Sequence, residues 1–94
     1  MHMAHAIREK SKVLVRVRRI RGQVEALERA LEEEKGCFEV LNQIAAARGA
    51  MNGLMVEVLA EHVEMHVANP AISSDVERTK GADELIEVIR SYLK

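Results

Sequence analysis

The stretch LNQIAAARGAMNGLMVEVLAEHVEMHVANP, residues 41 to 70, carries the longest helical pattern of this protein. Its apolar positions recur every three or four residues, which is the spacing of one helix face, until the chain reaches Pro70. The positions on this face are Leu41, Ile44, Arg48, Met51, Met55, Val58, His62 and Met65. The spacing predicts a helix of about 30 residues, which is unusually long for a chain of 94 residues.

A second long helix is predicted upstream, from about residue 9 to residue 35, with Gly36 as its C-terminal cap. Its apolar residues alternate between spacings of four and three. They are Val13, Val17, Ile20, Val24, Leu27 and Leu31. In the downstream helix, Ala45, Gly49 and Gly53 lie beside the apolar face, and their small size predicts that another helix approaches closely there.

A third, shorter helix follows Pro70. Ser74 and Glu77 form a capping-box pattern at its start, although Gly81 and Asp83 also allow a later start. Its apolar face carries Leu85, Ile86, Ile89 and Leu93. With no strand pattern, the fold class is all-α, with a three-helix protomer. Two long helices bury only part of their apolar faces against each other, so we expect self-association into an antiparallel four-helix-bundle dimer.

Composition supports a single helical domain, residues 1–94, with residues 1–8 as a flexible N-terminal tail. Hydrophobic residues make up 48% of the chain, but Phe38 and Tyr92 are its only aromatics, so the core is expected to be aliphatic. We expect a cytoplasmic protein, because no apolar run is long enough to span a bilayer or to serve as a signal peptide. No set of nucleophile, base and acid and no cofactor loop is evident, so an enzyme is not expected.

The charges of the chain are segregated, although its net charge is only −1. Residues 8–21 carry seven Lys or Arg residues against one Glu, and an acidic stretch follows them. Lys12, Arg16 and Arg19 fall at i, i+4 and i+7 and therefore share one helix face. A basic run of this kind is usually a solvated face, but several copies of it in an oligomer would form a surface for DNA phosphates.

His62 and His66, four residues apart, lie on one helix face and could hold a metal ion together. Solvation of a helix end, or a neutral histidine within the apolar seam, is the commoner role for such residues. Cys37, at a helix N-terminus that stabilises a thiolate, is a candidate ligand, although an isolated cysteine is more often a buried apolar thiol. It precedes His62 by 25 residues, roughly 37 Å along a continuous helix, so only an antiparallel partner could bring the two together.

From about His5 to Lys94 the chain resembles the CsoR/RcnR family of all-helical bacterial repressors. The resemblance is carried by RVRRIRGQVEALERALEEEKGC, QIAAARGAMNGLM and EVLAEHVEMHV. It implies a three-helix protomer, an antiparallel four-helix-bundle dimer and a tetramer that binds operator DNA. It also implies that Arg16 and Arg19 of the first helix and Arg48 of the second contact the DNA, mainly at its phosphates.

The resemblance further implies an effector site that joins Cys37 to His62 and His66 of a partner's second helix. His5 matches the N-terminal ligand of the nickel/cobalt-sensing (RcnR-like) branch. Translation from Met3 would leave Ala4 as the terminal amine directly before His5. This set of imidazole and thiolate ligands suits Ni(II) or Co(II), and Zn(II) is also compatible with it. The expected function is a repressor that metal releases from DNA, controlling metal efflux or detoxification genes.

A second branch of the family remains open as the alternative. KVLVRVRRIRGQ, residues 12–23, is similar to the formaldehyde-sensing (FrmR-like) branch, in which the cysteine at this position reacts with the aldehyde and an N-terminal proline amine completes a crosslink. The only proline here is Pro70, and His66 also departs from that branch. These departures favour metal, while the first helix keeps the reaction of Cys37 with formaldehyde as the alternative.

Overall fold

The computed structural model describes residues 7–93, and within this range the secondary structure is helical without strands. Three α-helices follow one another: α1 (Lys10–Glu32), α2 (Cys37–Val63) and α3 (Asp75–Tyr92). A π-helical turn, Glu64–Ala68, directly continues α2. The predicted all-α fold class and the order of two long helices and one shorter helix are confirmed. Among these helices, none combines the length and the apolar character that crossing a membrane requires.

The described chain divides into two compact units, with the boundary inside α2 between Met55 and Val56. The first unit contains α1 and the first part of α2, and the second contains the end of α2, the π-helical turn and α3. The organisation of residues 1–94 as one domain stays a prediction. The predicted tail, residues 1–8, lies outside the described residues except for Ile7 and Arg8.

In the first unit, α1 and α2 run antiparallel. Arg16 of α1 lies beside Gly53 of α2, and Ile20, one turn further along α1, lies beside Ala50, one turn earlier in α2. Among the described residues of this unit, the buried apolar ones are Ile20 and Ala30. Much of the predicted apolar stripe remains open in the single chain, with Val24, for example, 50% exposed.

The C-terminus of α1 differs from the prediction that Gly36 caps it. The helix ends at Glu32, and Glu34 takes the left-handed conformation with φ of 55°. Lys35 donates its backbone N–H to the Ala30 carbonyl at 2.9 Å, and Glu34 donates to the Leu31 carbonyl at 3.1 Å. These two bonds form a Schellman motif, which places the left-handed position at Glu34. Gly36 instead lies directly before the first residue of α2, where its carbonyl accepts a hydrogen bond from the Val40 N–H at 3.1 Å.

Replacing Glu34 by glycine is expected to raise the free energy of unfolding by about 1 kcal/mol, since a left-handed backbone strains residues that carry a Cβ. Urea denaturation at a fixed protein concentration measures the change. Glu33→Gly is the matched control, because Glu33 has a φ of −84° and gains nothing from glycine. Equal effects of the two substitutions would contradict the assignment of the cap to Glu34.

The second unit is built where the π-helical turn packs against α3. Helix α3 begins at the capping box that the sequence predicts, because the Ser74 side chain accepts a hydrogen bond from the Glu77 N–H at 3.2 Å. Asp75 and Glu77 add negative charge to its first turn, where the helix dipole favours it. The alternative later start at Gly81 or Asp83 is therefore wrong: Gly81 lies inside α3 and is buried.

The long second helix has the predicted extent, but its final turn differs from an α-helix. Residues Glu64–Ala68 form wider π-helical hydrogen bonds, and Asn69 then leaves the helix with φ of −109° and ψ of 104°. The extended backbone of Asn69 agrees with the restriction that Pro70 places on the residue before it. Single π-helical turns occur frequently at functional sites, and this one contains His66.

Candidate functional site

His62 and His66 lie side by side at the end of the long second helix. His62 belongs to the last turn of α2, and His66 belongs to the π-helical turn that follows. Their ring centroids are 5.0 Å apart, with the ring planes tilted by 44°. Both side chains are half-buried. The structure therefore brings together the two histidines that the spacing of four residues predicts to share a face.

A hydrogen bond to α3 orients the His62 ring. His62 Nε2 lies 2.9 Å from the carbonyl oxygen of Gly81. A carbonyl oxygen can only accept, so Nε2 carries the proton and donates it. In the neutral imidazole this leaves the lone pair on Nδ1. Metal-ligating histidines commonly donate their other ring N–H to a backbone carbonyl in this way, so the geometry fits a ligand role for His62 through Nδ1.

Gly81 also brings the backbone of α3 against the π-helical turn. A Cβ added at Gly81 would lie 2.8 Å from His66 Cβ and nearer still to the carbonyl oxygen of His66. Real Cβ atoms do not approach other atoms so closely, so a residue with a side chain does not fit here. The absent side chain of Gly81 thus allows α3 to contact the two histidine positions at once.

The other predicted ligands are placed differently. Cys37 is the first residue of α2, exposed and without a disulfide, and it belongs to the first unit, whereas the two histidines belong to the second. His5 lies outside the described residues, as does His2. Across residues 7–93, no three side chains of His, Cys, Asp or Glu are arranged to hold a metal ion. Within one described chain, the histidine pair is thus the part of the predicted ligand set that comes together.

The predicted DNA contacts all lie in the first unit. Arg16 is half-buried, and Arg19 and Arg48 are exposed. Arg16 and Arg19 line a pocket of about 130 Å³ together with Ile20 and Ala50. Lys12, on the same face of α1, is exposed and lies 3.8 Å from the carboxylate of Glu9. The structure thus places the two α1 arginines at one surface feature, while their role in DNA binding stays a prediction.

Gly81 and the π-helical turn are the parts of the site that the sequence pattern did not reveal. The capping pattern treats Gly81 only as a possible start of the third helix. A glycine inside a helical pattern costs stability and commonly marks close packing, so the apolar pattern on both sides of Gly81 was a usable signal. No pattern in residues 64–68 distinguishes a π-helical turn from the α-helix that the spacing predicts.

Comparisons with known proteins identify the family. Residues 9–91 match the family described as metal-sensitive transcriptional repressor. Among curated proteins, the chain is 52% identical to an uncharacterized protein in the bioA 5' region of Serratia marcescens over 98% of this chain and all of that one. It is 44% identical to the transcriptional repressor RcnR of Citrobacter koseri, again over 98% of this chain and the whole of the relative.

Two solved structures share the fold. A variant of the formaldehyde-responsive regulator FrmR from Salmonella enterica serovar Typhimurium has a TM-score of 0.80 and 46% identity, over 95% of this chain and 99% of that one. The copper-sensing repressor CsoR with Cu(I) from Geobacillus thermodenitrificans has a TM-score of 0.83 and 26% identity, over 98% and 95% of the two chains. The chain therefore belongs to the metal-sensitive transcriptional repressors, a family of regulators and not of enzymes, which confirms the CsoR/RcnR resemblance of its sequence.

Proposed function

We propose that this protein is a cytoplasmic repressor that binds operator DNA in the absence of metal and is released by Ni(II) or Co(II). The observation that carries the proposal is the histidine pair: two rings 5.0 Å apart, one of them oriented by the Gly81 carbonyl so that Nδ1 is left to bind a metal. The 44% identity to RcnR supports a metal effector. The controlled genes would be those of metal efflux or detoxification.

The proposed ligands are His5, Cys37, His62 and His66. Imidazole and thiolate donors with room for further nitrogen or oxygen ligands suit six-coordinate Ni(II) or Co(II). Zn(II) could bind the same donors without those further ligands. A bound metal would supply a positive centre that ties these side chains to one another. Cys37 is exposed at the start of α2, where it is accessible to a second copy of the chain.

Self-association would complete this site. The apolar residues left exposed on α1 and the first part of α2 need a cover, because monomers rarely leave large apolar patches open. They include Val24, Leu31, Leu41, Ile44 and Met51, which are 46% to 59% exposed. We propose that they form the core of an antiparallel four-helix-bundle dimer, in which Cys37 of one copy meets His62 and His66 of the other. Two dimers would form the tetramer.

The DNA contacts we propose are Arg16, Arg19 and Arg48. Guanidinium groups bind phosphate oxygens through paired hydrogen bonds, and an oligomer repeats them over one surface. Phosphate contacts of this kind make affinity fall steeply as salt rises. Because metal lowers DNA affinity in this proposal, DNA must lower metal affinity by the same factor.

Formaldehyde is the alternative effector. The observations in its favour are the exposed thiol of Cys37 and the 46% identity to the FrmR variant. The thiolate sulfur would add to the aldehyde carbon, and the resulting alkoxide would take a proton from water to give a hydroxymethyl thioether. A mass gain on Cys37 after treatment with formaldehyde would identify this branch.

Fluorescence anisotropy of labelled operator DNA separates the two effectors. Ni(II), Co(II), Zn(II) and formaldehyde are added separately to the wild type, to His66→Ala and to His2→Ala, a histidine that the proposed site does not use. We expect Ni(II) or Co(II) to release the wild type and His2→Ala from DNA, and to fail with His66→Ala.

Release by formaldehyde alone, with no effect of His66→Ala, would instead favour the alternative effector. If the unliganded protein does not bind operator DNA at low salt, both the metal-responsive and the formaldehyde-responsive repressor are contradicted.

A further inference from the structure

Gly53 of α2 lies directly under the guanidinium group of Arg16 of α1. A Cβ added at Gly53 would lie 3.0 Å from Arg16 Nη1, a distance tighter than nine in ten real Cβ contacts. Among residues 7–93, no other heavy atom beyond its own helix backbone and chain neighbours comes within 4 Å of that position. The absent side chain of Gly53 therefore leaves space that one group, the Arg16 guanidinium, occupies.

The residues around Arg16 suggest which chemical group this arrangement could bind. Arg16 and Arg19 line the same pocket of about 130 Å³, and the remaining lining residues are Ile20 and Ala50. Ile20 is only 6% exposed and Ala50 is half-buried, so two arginines and two apolar residues line this pocket. Planar guanidinium groups recognise phosphate oxygens through paired hydrogen bonds, most effectively when their orientation is held in advance.

A second glycine on α2 shows that this contact is particular to Gly53. Gly49, one helical turn earlier, has no atom of the described residues, apart from its own helix backbone and chain neighbours, within 4 Å of a Cβ added to it. Both glycines lie in the interior of α2, where glycine is unfavourable relative to alanine. The helix therefore bears the same backbone penalty at both positions, and only at Gly53 does an α1 arginine use the space.

We propose that Gly53 is a positioning residue for DNA binding. Its missing side chain lets the Arg16 guanidinium lie against α2 beside Arg19, so that both arginines address one backbone phosphate of the operator. This inference rests on the proposed function, since it assumes that α1 meets DNA. It assigns to Gly53 a role in directing a basic side chain, in place of the approach of a second helix backbone that the small-residue spacing suggests.

The test compares side chains introduced at Gly53, where they would displace the Arg16 guanidinium, with the same side chains introduced at Gly49, where no such contact exists. Operator affinity and its salt dependence are measured by anisotropy for the wild type, Arg16→Ala, Gly53→Leu, Gly49→Leu and the double variant Arg16→Ala/Gly53→Leu. Gly53→Ala and Gly49→Ala form a milder pair. Melting temperature and sedimentation equilibrium confirm that each variant keeps its fold and its assembly.

We expect Arg16→Ala and Gly53→Leu each to weaken operator binding by about tenfold, as the loss of a charge-assisted hydrogen bond does. Each should also lower the slope of log affinity against log salt by about one for every protomer that touches DNA. The double variant should bind as Arg16→Ala does, because the two changes remove the same contact. Gly49→Leu should keep the wild-type slope, and Gly53→Ala should lose less affinity than Gly53→Leu while melting no lower than the wild type.

Other outcomes overturn the inference, and they separate it from the proposed function. If the wild type binds the operator and metal releases it, but Gly53→Leu matches Gly49→Leu, the role of Gly53 is wrong and the repressor function stands. The inference is also contradicted if Gly53→Leu lowers operator affinity further in the Arg16→Ala background, or if it lowers operator affinity without changing the salt slope. If the wild type does not bind the operator, the proposed function fails and this inference fails with it. Should Gly53→Leu lose its assembly, the salt slopes of Gly53→Ala and Gly49→Ala decide the question. A lower slope for Gly53→Ala supports the inference, and equal slopes contradict it.

Discussion

Replacing Gly81 by alanine is expected to destabilise this protein by about 3 kcal/mol, the upper end of the cost of overpacking a tight contact. The new Cβ would lie 2.8 Å from His66 Cβ and nearer still to the His66 carbonyl oxygen. Because the obstacle includes backbone, α3 and the π-helical turn would have to separate. That separation would also withdraw the Gly81 carbonyl from His62 Nε2. Urea denaturation at a fixed protein concentration measures the loss, since self-association changes apparent stability.

Gly22→Ala is the matched control for this prediction. Gly22 lies in the interior of α1, and within the described part of the chain no atom beyond its own helix backbone and chain neighbours lies within 4 Å of a Cβ added there. The same substitution there should raise the free energy of unfolding by about 0.5 to 1 kcal/mol, because alanine restricts the unfolded chain and favours the helix. The free energy of unfolding should thus fall for Gly81→Ala and rise for Gly22→Ala. A Gly81→Ala variant as stable as the wild type would show that α3 does not pack on His66 as described.

Mixing two inactive variants is expected to restore metal binding if the effector site joins two chains. Cys37→Ala and His66→Ala should each lose high-affinity Ni(II) binding, because each removes a proposed ligand from every site of a symmetric dimer. Refolded together, a mixed dimer has one site with both ligands intact and one with neither. Random pairing of equal amounts should then restore about one quarter of the sites. Titration with Ni(II), followed by absorption or calorimetry, counts them.

The control for this experiment is a mixture in which both subunits carry Cys37→Ala, so that no pairing can rebuild a site. Binding should stay absent in that mixture at every protein concentration. If the mixture of different variants also binds no Ni(II), although sedimentation shows that dimers form, then Cys37 and His66 do not meet across two chains. If His66→Ala alone retains full affinity for Ni(II), then His66 is not a ligand of the metal.

Much of this protein was predictable because helix periodicity is a local property. The apolar spacings in residues 13–31 and 41–65 predicted two long helices, and both formed within a few residues of the expected ends. The capping pair Ser74 and Glu77 predicted the start of α3 for the same reason, since its partners are three residues apart. The spacing of His62 and His66 likewise predicted their shared face. The motifs in the same segments were specific enough to indicate the family, which the match over residues 9–91 shows.

Local sequence was sufficient for the all-α class, the order of the helices and the shared face of His62 and His66, because neighbours within one or two helical turns govern each of these, and its motifs indicated the family. The three-dimensional structure was needed to show that Glu34 and not Gly36 takes the left-handed cap, that the helix ends in a π-helical turn, and that the Gly81 carbonyl accepts a hydrogen bond from His62. It also showed that Arg16 lies over Gly53. His62 and Gly81 are 19 positions apart in the sequence, and Arg16 and Gly53 are 37 positions apart. Local spacing does not predict which glycine lies against which distant side chain.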